Sequence, residues 1–144
     1  ASEDVGLADP NALRLAIAAR DAAQFLGHPE GELALAECAV YLAIAPKSNT
    51  VYSAWKAAQR DAQQFGSADV PLHLRNAPTG TMKSLGYGKD YAYYFSDREG
   101  SFAQRYFPET MPVRRYYTGD GEGWEKKLAS RLKSLEEARK GAED

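Results

Sequence analysis

Residues 72–95 contain the part of the chain that most resembles a nucleotide-binding loop. They read LHLRNAPTGTMKSLGYGKDYAYYF and include the dipeptide Gly88-Lys89. In a phosphate-binding loop a glycine would stand at the position of Lys83, and a serine or threonine at the position of Asp90. The neighbouring Gly-x-Gly also lacks the third glycine of a dinucleotide fingerprint. The spacing therefore predicts a tight glycine turn and no nucleotide site.

Metal and nucleophilic sites are not predicted either. Cys38 is the single cysteine and falls in an apolar stretch, while His28 and His73 lie far apart. No spacing of these residues matches a zinc site, and no nucleophile has a histidine and an acid arranged around it. We therefore expect Cys38 to be a small core residue, and we expect this chain to have no catalytic residue, metal or cofactor of its own.

Two polar segments each leave two interpretations open. Pro46-Lys47-Ser48-Asn49 joins two predicted helices, and Lys47 is either part of an anion site at a helix N-terminus or a solvated residue of a capped turn. His73, Arg75 and Asn76 either contact a partner or hydrogen-bond the backbone of an irregular stretch.

The middle of the chain combines tyrosines with cationic residues. Residues 71–119 hold seven of the nine tyrosines and have a net charge of +3, from seven basic and four acidic groups. Such a surface is suited to stacking single-stranded bases and holding phosphates. The same residues would also suit a protein interface, or the tyrosines would cover the helices. The candidate partner or DNA contacts are Lys47, Lys56, Arg60, His73, Arg75, Asn76, Lys83, Lys89, Arg114 and Arg115.

Composition limits the class of protein. The 144 residues suit one domain with a real core, and the net charge of −2 argues against a dedicated, strongly basic nucleic-acid binder. A single cysteine indicates a reducing, intracellular setting. The longest apolar run is too short for a membrane span, which needs about 20 residues. Because the sequence begins without methionine, we expect it to be a piece of a longer protein.

Two apolar helices are predicted in the first 46 residues. The first follows the capping residue Asp9 and ends at Gly27, and the second ends before Pro46. Residues 33–45 carry one charge, Glu37, so the second helix should be buried on most sides. It is interpreted either as the central helix of a bundle or as a helix shared with a second subunit. The candidate oligomer interface is Leu33, Leu35, Val40, Tyr41, Leu42 and Ile44.

The remaining elements complete a single, mainly α domain at residues 1–144. A third helix, capped by Ser48 or Asn49, completes a three-helix core at residues 1–66. Residues 67–119 form an irregular basic and aromatic segment, in which Thr79 caps a short helix through Leu85. Within that segment DYAYYF and VRRYY either pair as a short β-hairpin or remain ordered loops. Residues 120–144 form a C-terminal helix with a Glu122–Lys126 pair.

Several segments resemble a known family along nearly the whole chain. They are EDVGLADPNALRLAIAARDAAQFLG, ECAVYLAIAPKSNTVYSAWKAA, VPLHLRNAPT, MKSLGYGKDYAY, YFPE, RRYY and GWEKKL. In this order they resemble the C-terminal region of the RarA/MgsA family of replication-associated AAA+ ATPases. These are relatives of clamp loaders and include the Werner-helicase-interacting ATPases.

The resemblance implies a helical oligomerisation domain, like the one that follows the AAA+ module in clamp loaders, and it implies a tetramer. The ATPase core, with its ATP and Mg²⁺, would lie upstream. The parent protein would be cytoplasmic and nucleoid-associated, and would act in DNA replication, recombination and repair at stalled forks. It would work there with DNA and single-strand-binding protein. Self-association is the favoured function of this chain, and the alternative is a module that contacts DNA or single-strand-binding protein through the tyrosine-rich middle.

Overall fold

A computed structural model describes the backbone of residues 1–143 and the side chains of residues 1–141. The described part is helical and contains no strand, which confirms the mainly α fold class. Its α-helices are α1 (Asn11–Leu26), α2 (Glu30–Ile44), α3 (Thr50–Phe65), α4 (Gly80–Ser84), α5 (Arg98–Ala103) and α6 (Glu125–Glu143). Short 3-10 helices lie at Gly6–Ala8 and Leu72–Leu74.

The predicted helix starts are confirmed at three positions. The carboxylate of Asp9 accepts a hydrogen bond from the Asn11 amide at 3.0 Å at the start of α1. The Ser48 hydroxyl accepts from the Thr50 amide at 3.3 Å at the start of α3. Thr79 caps α4 by accepting from the Met82 amide at 3.2 Å. Each side chain satisfies a backbone donor that has no partner inside its helix.

The chain divides into two compact units. The first unit comprises residues 1–58 with residues 116–132, and the second comprises residues 59–115 with the chain from Lys133 onward. The single domain predicted from the sequence, with its three segments, stays a prediction.

The first unit contains the small hydrophobic core. Val5 and Ala12 are almost fully buried, Ala45 packs with them, and the partly buried Tyr41 and Leu42 pack against this cluster. The buried residues are mostly small, so the core has little volume. Burial of this kind stabilises by about 25 cal/mol per Å² of apolar surface, which limits what so small a cluster can contribute.

Residues 90–106 of the second unit consist of turns and irregular backbone around one short helix, α5. The Tyr93 carbonyl accepts from the amides of Ser96 and Asp97, at 3.0 and 2.7 Å, which closes a turn. Asp97 then caps α5 by accepting from the Gly100 amide at 2.9 Å. Of the two alternatives for DYAYYF and VRRYY, ordered loops are observed. The helix α5 was not predicted from the sequence.

Candidate interaction surfaces

At the seam between α1 and α2, Gly31 of α2 lies against Ala23 of α1, and the buried residues of both helices are small. Ala12 and Ala19 of α1 are buried, and so is Cys38 of α2, as predicted for the cysteine. At Gly31 an added Cβ would lie 2.8 Å from the Cα of Ala23, so only glycine allows the two helices to come this close. Because the buried residues of the two helices are alanine, glycine and cysteine, most of their larger apolar side chains remain at the surface.

One face of α2 presents three large aliphatic side chains to solvent. Leu33 is 74% exposed, Val40 is 63% exposed and Ile44 is 80% exposed. Their spacings of seven and four residues put them on the same side of the helix. Glu37, also exposed, lies on this side between them. We call Leu33, Glu37, Val40 and Ile44 the α2 face.

The α2 face corrects one interpretation of the sequence. A helix enclosed by its own bundle would not leave side chains such as Val40 and Ile44 mostly exposed. Within this chain α2 is therefore not the enclosed central helix of a bundle. The remaining alternative from the sequence is a helix shared with a second subunit.

The other predicted interface residues are placed differently. Leu35 is about half exposed and lies away from the α2 face. Tyr41 and Leu42 pack on the core of the first unit. The Tyr41 hydroxyl donates to the Asp9 carboxylate at 2.5 Å. The pKa of Tyr41 is raised above its ordinary value, mainly by this hydrogen bond and to a smaller extent by burial.

Several predicted partner contacts are held by their own chain. Arg75 pairs with Asp69 at 3.3 Å and donates to the Val70 carbonyl at 2.6 Å. Its guanidinium also lies over the Tyr87 ring, 5.3 Å from the centroid. A ring nitrogen of His73 lies 2.8 Å from the carbonyl oxygen of Arg105. These contacts favour the second interpretation of this stretch, in which the side chains order the irregular backbone.

Some neighbouring candidates also have partners within the second unit. Arg114 pairs with Asp61 at 3.3 Å, and Arg115 pairs with Glu136 at 2.6 Å. Asn76 is exposed and lines a cavity of about 320 Å³ together with His73, Arg75 and others.

The remaining candidates lie on turns and helix surfaces. Lys47 donates to the Leu42 carbonyl at the end of α2, which favours the capped-turn interpretation of that segment. Lys56 lies over the Tyr52 ring at 5.5 Å. Arg60, Lys83 and Lys89 are exposed, and no ion pair is formed by them among the described residues.

Sequence reasoning missed a buried carboxylate at the start of α6. Glu125 is fully buried in the first unit. It accepts hydrogen bonds from the hydroxyls of Ser48 at 2.8 Å and Tyr117 at 3.0 Å, and also from the Thr50 hydroxyl. The carboxylate therefore connects the α2–α3 turn, the 116–118 segment and the N-terminus of α6. The available signal was a glutamate in a first helical turn, which does not by itself indicate burial.

Two glycines allow Glu125 to take this position. A Cβ at Gly121 would lie 1.3 Å from the Glu125 carboxylate, and a Cβ at Gly123 would lie 2.3 Å from the Ala8 carbonyl oxygen. Gly123 also has a φ of +58°, which other residues rarely adopt. The pKa of Tyr117 is raised to about 12, mainly by burial and next by the hydrogen bond to Glu125. The cluster is a structural connection, because its members bond to one another.

The described residues contain neither a candidate metal site nor a candidate membrane-spanning helix. No group of three or more His, Cys, Asp or Glu side chains in that part could hold a metal ion. None of its helices has both the length and the apolar character needed to cross a membrane.

The fold and surface define a class of protein: an all-helical domain that leaves an aliphatic helix face uncovered. Residues 1–136 match the family model described as "MgsA AAA+ ATPase C terminal". The chain therefore belongs to this family of AAA+ ATPase C-terminal domains, and the resemblance inferred from the sequence is confirmed.

Named relatives agree with this assignment. The chain is 50% identical, over its whole length, to the replication-associated recombination protein A of Coxiella burnetii, and covers 34% of that protein. It is 49% identical over 95% of its length to the protein of the same name in Escherichia coli strain K12, covering 31% of it. It is 47% identical over 81% of its length to the ATPase WRNIP1 of Dictyostelium discoideum, covering 14% of it. The chain thus spans about a third of the length of these two bacterial relatives.

Proposed function

We propose that this chain is a non-catalytic self-association domain that assembles the parent AAA+ ATPase into tetramers. The observation that carries the proposal is the α2 face, where Leu33, Val40 and Ile44 are mostly exposed in a single chain. Burial of one such side chain contributes roughly 1.5–3 kcal/mol, so covering three of them on each protomer gives association a substantial driving force. A large exposed apolar surface is also a common mark of a protein interface.

Glu37 fits an interface that excludes incorrect partners. It is the only charged residue of the α2 face, and it is exposed. A carboxylate that enters an interface must meet a hydrogen-bond donor or remain at the wet rim, since an unpaired buried charge is costly. An aliphatic face with one carboxylate therefore favours a copy that presents a donor at that point over non-specific apolar association.

The test is a matched pair of substitutions measured by light scattering. Val40→Glu places a second carboxylate in the middle of the α2 face, and we expect the mass of the assembly to fall. Leu85→Glu makes the same kind of change at a leucine that is 61% exposed in the second unit, and we expect the assembly to keep its mass. Equal masses for Val40→Glu and the unaltered chain would contradict the assignment of the α2 face.

We also propose a role for the parent protein. Its ATPase module, with ATP and Mg²⁺, would lie outside this chain, and it would act in replication, recombination and repair at stalled forks. This is supported by the relatives' name, replication-associated recombination protein A. DNA and single-strand-binding protein would be partners of the full-length protein. We expect no ATP hydrolysis by this chain alone, with or without DNA, and an assay of phosphate release measures it.

A further inference from the structure

The second unit presents a cluster of aromatic rings that self-association through the α2 face does not explain. Tyr93 and Phe95 have ring centroids 5.5 Å apart. Tyr94 meets Phe95 edge to face at 5.4 Å and meets Phe102 edge to face at 6.0 Å. Phe95 is 82% exposed, and Tyr93 and Tyr94 are about half exposed. We call Tyr93, Tyr94, Phe95 and Phe102, together with the adjacent Arg98, the aromatic patch.

Arg98 adds a positive charge to the rings. Its guanidinium lies 5.8 Å from the ring centroids of both Tyr94 and Phe102. Arg98 is exposed, and within the described residues no carboxylate pairs with it. The neighbouring acid, Asp97, is occupied by capping α5. The guanidinium is therefore held in place by the rings while its N–H donors remain available to a ligand.

The backbone beneath the patch is fixed by hydrogen bonds. The side-chain amide of Gln104 accepts from the Ala92 amide at 3.2 Å and donates to the Ala92 carbonyl at 2.9 Å. A Cβ at Gly100 would lie 2.2 Å from the Asp97 carboxylate, so glycine is needed for the α5 cap. Since the backbone is already ordered, a ligand would not have to supply the free energy for ordering it.

The chemistry of the patch differs from that of the α2 face. Between Gly86 and Tyr106 the sequence contains no leucine, isoleucine, valine or methionine. The apolar surface of the aromatic patch is therefore made mainly of aromatic rings, whose flat faces suit planar ligands. Lys83 and Lys89 precede the patch and form no ion pair in the described part of the chain. Flat rings with an unpaired guanidinium complement a strand of unpaired bases and phosphates.

We propose that the aromatic patch binds single-stranded nucleic acid. Bases stack on the exposed rings, with Phe95 as the main platform, and Arg98 donates to a backbone phosphate. A duplex does not fit this chemistry, because its base faces are already covered by neighbouring bases. The proposal goes beyond self-association and replaces the broad set of cations predicted from sequence by one compact site. Arg98 was absent from that set.

The test measures fluorescence anisotropy of a labelled oligo(dT) strand of about 16 nucleotides, at several salt concentrations, with the 144-residue chain. Phe95→Ala should weaken binding by roughly tenfold and leave the salt dependence unchanged, because stacking is lost but no phosphate contact is. Arg98→Gln should reduce the slope of log affinity against log salt by about 0.7, the value for one phosphate contact with a single strand.

Two control variants match these changes outside the patch. Phe25 is 89% exposed on α1, so Phe25→Ala removes an equally exposed ring. Arg14 is exposed on the same helix, so Arg14→Gln removes one charge. We expect both controls to bind oligo(dT) with the affinity of the unaltered chain. Circular dichroism should show the same helix content in all variants.

Three results would overturn the proposal. The first is no binding of oligo(dT) at low salt. The second is an equal effect of matched substitutions inside and outside the patch. This would be an equal loss of oligo(dT) affinity for Phe95→Ala and Phe25→Ala, or an equal slope of log affinity against log salt for Arg98→Gln and Arg14→Gln. The third is equally tight binding of a duplex of the same length, which would indicate attraction to phosphates alone. Each result is independent of the mass measurements that test self-association.

Discussion

At the scale of single residues, the most informative side chain is one that the sequence did not indicate. Glu125 is a carboxylate with no exposed surface, surrounded by the hydroxyls of Ser48, Thr50 and Tyr117. A buried charge is tolerated only when hydrogen bonds replace the water that it loses. The donors come from positions that lie far apart in the sequence, and only the folded chain brings them together. Helix-capping rules can find Asp9 or Thr79, since those residues bond within a few positions of themselves.

Glu125→Gln tests this carboxylate. The amide has one oxygen in place of two, and its NH₂ group would face hydroxyls that now donate, so we expect a loss of about 1–3 kcal/mol in the free energy of unfolding. Urea denaturation followed by circular dichroism measures it. Glu122→Gln is the matched control, because Glu122 is an exposed partner of Lys126 at 2.6 Å, and we expect a change below about 0.5 kcal/mol. Equal losses for the two variants would show that Glu125 is not a structural connection.

Tyr117 gives a prediction about pH. Burial, and then the bond to Glu125, raise its pKa from 10.0 to about 12 in the folded chain. The neutral hydroxyl donates to Glu125, so its stabilising effect is complete below the unfolded pKa of 10.0. The effect is lost as pH rises toward the folded value of about 12, because the unfolded chain ionises first. In urea denaturation, Tyr117→Phe should therefore have a lower free energy of unfolding than the unaltered chain below pH 10. This difference in free energy should shrink between pH 10 and 12. A constant difference across that range would contradict this.

At the scale of elements, the local rules worked for helix ends and failed for burial. Asp9, Ser48 and Thr79 all cap helices as predicted, because a cap depends on neighbouring residues. Residues 33–45 carry a single charge, Glu37, which suggested that this helix is enclosed. The residues that are buried on α1 and α2 are instead glycine, alanine and cysteine, and Gly31 lies against Ala23. Composition alone cannot show which side of a uniformly apolar helix faces a neighbour, so the exposed α2 face needed the structure.

Gly31→Ala tests the α1–α2 seam. The added methyl group would lie 2.8 Å from the Ala23 backbone, which cannot move without shifting α1, so we expect a loss of roughly 1–3 kcal/mol in the free energy of unfolding. Gly80→Ala is the control, because nothing lies within 4 Å of the added group. Alanine is also the better helix former, so this variant should be unchanged or slightly more stable. Thermal denaturation of the two variants compares them. If Gly31→Ala left the free energy of unfolding unchanged, α1 and α2 would not approach this closely at Gly31.

At the scale of the whole molecule, two chemically different surfaces occur on one chain. The α2 face is aliphatic and belongs to the first unit, whereas the aromatic patch belongs to the second. The sequence separated them only in outline, as an apolar first half and a tyrosine-rich middle. It could not assign Arg98 to the rings or Arg75 to its own backbone, since both depend on the path of irregular loops. Because the two surfaces differ, Phe95→Ala should leave the mass of the assembly unchanged, and a fall in mass would assign the aromatic patch to the oligomer interface.

The central claim is that copies of this chain associate to cover the α2 face. Sedimentation equilibrium of the unaltered chain, over a range of concentrations up to tens of micromolar, tests it most directly. If the chain forms a tetramer, the mass should approach four times the 15.8 kDa of one chain as concentration rises. A mass that stays at 15.8 kDa throughout would contradict it.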